Sequence, residues 1–313
     1  MKLLLPDSVP LAPALPEGVE AVRYDAAAPV PEEHLDAEAL VVWGNRPGDL
    51  RAVADRMPRL RWVQTLAAGP DVVLGAGFPD DVVVTSGVGL HDRPVTEHAL
   101  ALVLALLRRL PEAIAAQAEH RWAAELGGLQ PLHPEGAVTT LLGARVLVWG
   151  FGNIGQNMAP LLHALGAEVR GVGRSAGERA GFPVVAEDRL DAELRQTDVL
   201  VMILPATEAT THALDAARLA ELPRHALVVN VGRGTTVDEP ALVAALTEGR
   251  IAGAALDVTE VEPLPGDSPL WDAPNLLLTP HAAGGRPVGA DELVGANLAA
   301  LLAGGELRNV VPR

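Results

Sequence analysis

Three side chains in the second half of the chain have the types and the order needed to move a proton alongside a hydride. Arg233 stands in Asn-Val-Gly-Arg-Gly, Glu262 in Asp-Val-Thr-Glu-Val-Glu-Pro, and His281 in Leu-Thr-Pro-His. A guanidinium can grip a 2-oxo acid bidentately across its carboxylate and carbonyl oxygens, and it can polarise the carbonyl as negative charge develops there. A histidine can donate a proton to the resulting alkoxide, or accept it in the reverse direction. A glutamate beside that histidine fixes its tautomer and orientation. Arg233, Glu262 and His281 are therefore the expected catalytic set, and they need a hydride carrier.

The chain offers a cradle for one. Gly150-Phe151-Gly152-Asn153-Ile154-Gly155 follows the apolar run Val146–Trp149 and opens a helix-like stretch. Gly150 suits a tight turn out of a strand. Gly152 lets backbone approach a pyrophosphate, and Gly155 lets a helix pack closely on a sheet. The amide-rich helix start at Asn153 and Ile154 then faces the anion. With NAD as cofactor, an acidic residue is expected about 20 positions on, at the end of the second strand. Here Val172-Gly173 runs instead into Arg174-Ser175. A carboxylate would repel a ribose 2′-phosphate, whereas a guanidinium and a hydroxyl bind it. NADP(H) is favoured over NAD(H). Pro160, inside the helix that follows the glycines, is expected to cost a hydrogen bond or bend the helix.

Short apolar runs alternating with helical patterns predict the scaffold. Strands are expected at 2–5, 19–24, 40–43, 61–66 and 82–85, and again at 145–149, 168–173, 199–203, 226–231, 253–257 and 276–279. This alternation predicts α/β architecture with two doubly wound parallel-sheet domains. A long helix is expected from Asp92–Pro94, with Asp92 as its N-cap. Its apolar positions Val95, Ala99, Leu102, Val103, Leu106 and Leu110 share one face, and Leu100, Leu104 and Leu107 another. A helix apolar nearly all round must be covered, by another domain or a second subunit. His98, near its start, reads as a structural histidine.

Bulk properties narrow the class. The chain has 313 residues, 49% of them hydrophobic, enough for two cores. It has no cysteine, which rules out disulfides, thiolate catalysis and thiolate metal sites; no metal is expected. A net charge of −16 argues against nucleic acid as a partner. The N-terminal apolar run reads as a first strand rather than a secretory signal, and no run approaches the roughly 20 apolar residues of a membrane span. A cytoplasmic enzyme acting on a small anionic substrate fits these properties.

The chain resembles the D-isomer-specific 2-hydroxyacid dehydrogenase family. The resemblance rests on Ala67-Ala68-Gly69-Pro70-Asp71, Val95-Thr96-Glu97-His98, the glycine cradle, Leu204-Pro205-Ala206-Thr207, the Arg233 motif, Leu256-Asp257-Val258, Glu262-Pro263 and Thr279-Pro280-His281. It implies a Rossmann nucleotide domain, residues 98–285, inserted into a flavodoxin-like substrate domain formed by 1–97 and 286–313. It implies cofactor contacts at Leu204, Pro205, Val231, Gly232, Arg233, Asp257 and His281. It implies that the amides of Ala67, Ala68 and Gly69 take the substrate carboxylate, and that the protein is a homodimer. Trp43 is similar to a tryptophan of glyoxylate/hydroxypyruvate reductases and is expected to line the substrate site. The activity implied is reduction of a small 2-oxo acid of the glyoxylate or hydroxypyruvate type. Phosphoglycerate, D-lactate or phosphite oxidation, and a non-catalytic dinucleotide sensor on the same fold, stand as alternatives.

Overall fold

Segments of three to six residues, most of them rich in aliphatic side chains and too short for stable helices, form the strands of two sheets in a computed structural model of the chain. It describes residues 1–129, 131–134 and 137–312; residue 313, the end of the expected substrate segment, lies outside them. The chain divides into two compact units, Met1–His91 with Gly285–Arg313, and Asp92–Gly284.

In the first unit, β1 (Lys2–Pro6), β2 (Glu20–Tyr24), β3 (Ala39–Val42), β4 (Trp62–Thr65) and β5 (Val83–Thr85) make one parallel sheet in the order β2-β1-β3-β4-β5. That is the flavodoxin-like order. Alternation along each strand feeds two cores. Leu4, Leu40, Val42 and Val63 join one, with residues of helices α1 (Pro47–Arg56) and α2 (Asp71–Leu74). Leu3, Leu5, Val41 and Trp62 join the other, under the closing helix Ala290–Ala303. Buried Asn297 ties that helix down, donating to Gln64 Oε1 at 2.9 Å.

The second unit begins with α3 (Asp92–Leu107), which already includes Asp92. Asp92 is thus an acidic residue of the first turn, where it complements the helix dipole, and not the cap. The helix ends at Leu107, because Arg109 turns left-handed at φ 51° and caps the start of α4 (Leu110–Ala118). Leu110 is therefore exposed on a separate helix rather than on the α3 face. Val95, Ala99, Leu102, Val103 and Leu107 of α3 are buried within its own unit, where the helix packs on α5 (Asn153–Ala164) and the sheet, while Leu100, Leu104 and Leu106 are only partly buried there.

The remaining strands are β6 (Arg145–Trp149), β7 (Glu168–Gly173), β8 (Gly177–Arg179), β9 (Phe182–Ala186), β10 (Val199–Met202), β11 (Leu227–Asn230), β12 (Gly253–Leu256) and β13 (Leu276–Leu278). Their order is β13-β12-β11-β10-β6-β7-β9-β8, parallel except for β8 against β9. Val146 and Val148 face α3 and α5; Leu147 and Trp149 face the opposite core, with Leu194 of α6 (Leu190–Leu194), Leu219 of α7 (Ala216–Glu221) and Leu242 of α8 (Glu239–Thr247). The β8–β9 hairpin and α4 escape the sequence reading. Pro160 sits in the third turn of α5 on an exposed face. The helix continues to Ala164, and the Gln156 carbonyl that Pro160 cannot serve is not sealed in the core. No described helix is long and apolar enough to cross a membrane. Among the described residues, no cluster of His, Cys, Asp or Glu is placed to hold a metal ion.

Candidate active site

The order of the larger sheet reverses between β6 and β10, the kind of switch point where open α/β sheets receive ligands. One rung crosses it there: Val172, Trp149, Met202, Asn230, Leu256 and Leu278 are aligned as neighbours. Past this rung the strands give way to loops, and the expected site residues of this unit hang from them. Gly150 follows Trp149, Leu204 follows Met202 by two positions, and Asp257 follows Leu256. Arg233 and His281 each stand three positions past the rung (230 to 233, 278 to 281). Their loops leave strands separated by two spacings, about 10 Å.

The three cradle glycines have separate reasons to be glycine. Gly150 has φ +101°, and a Cβ there would lie 2.5 Å from the Ile203 carbonyl oxygen. At Gly155 a Cβ would crowd the Gly150 carbonyl oxygen at 3.1 Å and Val148 at 3.2 Å. Gly152 faces open space, with nothing within 4 Å of a built Cβ. It also begins α5 without a capping side chain, so the amides at Asn153 and Ile154 enter the helix with no side-chain acceptor at its head. A bare, open helix start of this kind fits a dinucleotide pyrophosphate.

Arg174 and Ser175 follow β7, both exposed. The hairpin folds Arg179 back onto them: its Nη2 donates to Ser175 O at 3.0 Å and to Ser175 Oγ at 2.9 Å. Among the described residues Arg174 pairs with no carboxylate. Two guanidiniums and a hydroxyl thus share the end of β7, and Arg179 is a residue the sequence reading missed. Its proximity depends on the hairpin, which leaves little periodic signal.

Arg233 is half-buried, and its Nη1 donates to the Gly232 carbonyl oxygen at 2.8 Å. Buried Asn230 sets this loop. Its Oδ1 accepts from the Gly232 amide at 3.0 Å, and its Nδ2 donates to the Arg233 carbonyl at 3.0 Å. Val231 is buried and donates to Met202 O. Gly232 lies against Leu204, where a Cβ would come within 2.6 Å of the Leu204 carbonyl oxygen. Pro205, next along, accepts from Thr210 Oγ1 at 2.6 Å.

Glu262 and His281 are brought into direct contact. His281 Nδ1 lies 2.7 Å from Glu262 Oε2. A carboxylate only accepts, so the proton of this bond is on Nδ1 and Nε2 is left for chemistry. Both side chains are well exposed, 48% for His281 and 36% for Glu262. His281 has φ +49°, a left-handed conformation. A cavity of about 620 Å³ adjoins the pair, lined by Asp257, Leu264, Trp271, Leu278 and Thr279 among others. Asp257 is 1% exposed. Its Oδ1 accepts from the Ala282 amide at 2.9 Å and its Oδ2 from the Ala283 amide at 3.0 Å.

The remaining expected residues belong to the first unit. Trp43 is half-buried and stacks on buried His91, with ring centroids 5.3 Å apart; His91 Nε2 lies 2.7 Å from the Leu66 carbonyl oxygen. In the turn after β4, the Ala67 amide already donates to Thr65 Oγ1 at 3.1 Å. Ala68 and Gly69 are half-buried, and among the described residues their amides donate to no protein acceptor.

A doubly wound sheet with an open glycine cradle, an arginine loop and a carboxylate-bound histidine at one edge defines a nicotinamide-dependent oxidoreductase. The family profile described as D-isomer specific 2-hydroxyacid dehydrogenase, NAD binding domain, matches residues 100–283. The glyoxylate reductase of Aeropyrum pernix is 36% identical over 228 residues, covering 72% of this chain and 68% of the relative. The glyoxylate/hydroxypyruvate reductase A of Salmonella paratyphi B is 34% identical over 267 residues, 82% of this chain and 81% of the relative. The crystal structure of an NADPH-dependent glyoxylate/hydroxypyruvate reductase from Sinorhizobium meliloti, in complex with NADP and sulfate, aligns with a TM-score of 0.80 at 28% identity, covering 99% of this chain and 97% of that one. The chain belongs to the D-isomer specific 2-hydroxyacid dehydrogenase family. It is an NAD(P)-dependent oxidoreductase of 2-hydroxy acids, similar to the glyoxylate/hydroxypyruvate reductases.

Proposed function

We propose that the protein reduces a small 2-oxo acid of the glyoxylate or hydroxypyruvate type, with NADPH preferred to NADH. The bound nicotinamide supplies the hydride. Arg233 holds the carboxylate and the carbonyl oxygen and stabilises the charge that grows on that oxygen. His281 gives the Nε2 proton to the same oxygen as the alkoxide forms, and Glu262 balances the imidazolium and keeps it turned. The observation that carries this reading is the Glu262–His281 hydrogen bond, 2.7 Å long, at the sheet edge that also carries the glycine cradle.

The unit spanning 92–284 is read as the NAD(P) domain, with contacts from Gly150, Gly152, Asn153, Ile154, Gly155, Leu204, Pro205, Val231, Gly232 and Asp257. Arg174, Ser175 and Arg179 would hold the 2′-phosphate. The other unit is read as the substrate domain, with Trp43 as a lining residue and the open amides of Ala68 and Gly69, beside Ala67, as carboxylate donors. A homodimer is part of the reading; Ile114, Trp122 and Leu129, exposed apolar side chains on and after α4, support it. The test is a matrix of 2-oxo acids against NADPH and NADH. Loss of the reduced-nicotinamide absorbance with glyoxylate or hydroxypyruvate is expected, and no loss with any acid would sink the proposal.

A further inference from the structure

His281 is held by more than Glu262. Its own amide donates to the Asp257 carbonyl at 2.7 Å. The Asp257 carboxylate takes the next two amides, Ala282 and Ala283, and on the other flank it accepts from Thr279 Oγ1 at 2.6 Å. One nearly buried carboxylate therefore pins both sides of a left-handed histidine, a conformation that costs about 1–2 kcal/mol for an L-residue. Asp257 has a further neighbour. His98 Nε2, from α3, lies 3.0 Å from Thr279 Oγ1 and 3.1 Å from Asp257 Oδ1. Thr279 has a single hydroxyl proton, and the short bond to Asp257 uses it. The remaining contacts then require the proton on His98 Nε2, shared between the hydroxyl oxygen and the carboxylate.

We propose that His98 is a positioning residue for the reaction. Through Asp257 and Thr279 it locks the 279–283 turn and so sets the His281 imidazole. The role rests on the reading of His281 as the proton donor. His98 is separated from Thr279 by 181 positions in the chain, so the bond ties the first helix of the unit to the turn after its last parallel strand. A side chain whose only task was to fill space would not need a donor nitrogen here.

The test uses His98→Leu, His98→Gln and Thr279→Val in the full chain. Amide hydrogen exchange of the 279–283 segment is measured without ligand, and kcat and KM are measured separately with NADPH and the best 2-oxo acid. In His98→Leu the Ala282 and Ala283 amides should exchange faster, and kcat should fall roughly 10- to 100-fold, the scale of a misplaced catalytic group, while KM for the oxo acid stays within about threefold of wild type. Gln carries a donor nitrogen at similar reach, so His98→Gln should recover most of both losses. Unchanged exchange and kcat in His98→Leu overturn the proposal, as does a His98→Gln variant as impaired as His98→Leu. If His98→Leu does not fold, Thr279→Val decides: wild-type kcat there overturns it. Wild-type protein inactive on every acid would defeat the functional reading, while the exchange measurement would still test the anchor.

Discussion

Gly234 and Thr259 meet backbone to backbone: a Cβ built on Gly234 would sit 1.9 Å from the carbonyl carbon and oxygen of Thr259, and 2.6 Å from the Glu260 amide. Gly234 follows Arg233, and the Thr259 amide donates to Glu262 Oε1 at 3.0 Å. The arginine loop and the glutamate loop are thus pressed together at a point where no side chain fits. Gly234→Ala must push them apart. It should destabilise the protein by about 1–3 kcal/mol, the usual cost of overpacking, and lower kcat. Urea unfolding beside steady-state rates checks both; wild-type values would show the contact to be slack.

Removing the imidazole should be more severe for chemistry and milder for stability. His281→Ala is expected to cost at least roughly 10²-fold in kcat, the low end for general acid–base catalysis, with a melting temperature near that of wild type because the side chain is half exposed. Glu262→Gln should retain more activity than His281→Ala, since an amide still accepts from Nδ1. Near-normal turnover in His281→Ala would remove it from the mechanism.

The β7 end is open to a selective test. Arg174→Ala and Arg179→Ala should each raise KM for NADPH by about tenfold or more, the value of a hydrogen bond to a charged group, and leave NADH nearly unaffected. Arg179→Ala should also loosen Ser175. Equal losses for both cofactors would refute the 2′-phosphate assignment.

The pH dependence of stability has a local source. Burial pushes the Asp198 carboxyl upward, but the Arg145 side chain, the Arg145 amide and His225 together outweigh it and leave the group below the ordinary aspartate range. The Arg145 amide lies 2.7 Å from Oδ2, and Arg145 Nη2 and His225 Nε2 lie 3.1 and 2.8 Å from Oδ1. A depressed folded-state pKa stabilises above the unfolded value, about 4, and that stabilisation is lost as pH falls through the folded value. Asp198→Asn should therefore lower the melting temperature at neutral pH and flatten its decline on acidification. An unchanged acid limb would contradict this.

Pro160 offers a gain. It leaves the Gln156 carbonyl without a helical partner, and its own ring is exposed. Pro160→Ala should stabilise the protein by roughly 1–3 kcal/mol, up to the cost of an interior helical proline, measurable by thermal unfolding. A loss instead would mean that the ring is packed where the surface looks open.

Most of this was legible in the chain because its signals are local. β6 and β7 follow the apolar runs residue for residue, and Arg233, Glu262 and His281 each sit in a turn motif just past such a run. What escaped depends on contacts distant in sequence or on untypical residues. The end of α3 is set by Arg109 in a left-handed conformation that usually falls to glycine, so Leu110 read as part of the same face. The β8–β9 hairpin buries only Val184, too little to leave an alternating pattern, and with it Arg179 went unseen. His98 reads only as a structural histidine in the chain, because its partners, Asp257 and Thr279, follow two strands near the far end of the unit.

The hairpin has a consequence for how such a protein can change. It lies at the rim of its sheet, and β7, β6, β10 and β11 stand between it and the strand ends that carry Asp257 and His281. A replaced rim segment from 174 to 186 would leave the proton-handling loops untouched. On the proposed assignment of the 2′-phosphate to Arg174, Ser175 and Arg179, coenzyme choice and reaction chemistry can then drift independently, and a swap of this one segment between relatives is a practical way to exchange electron donors.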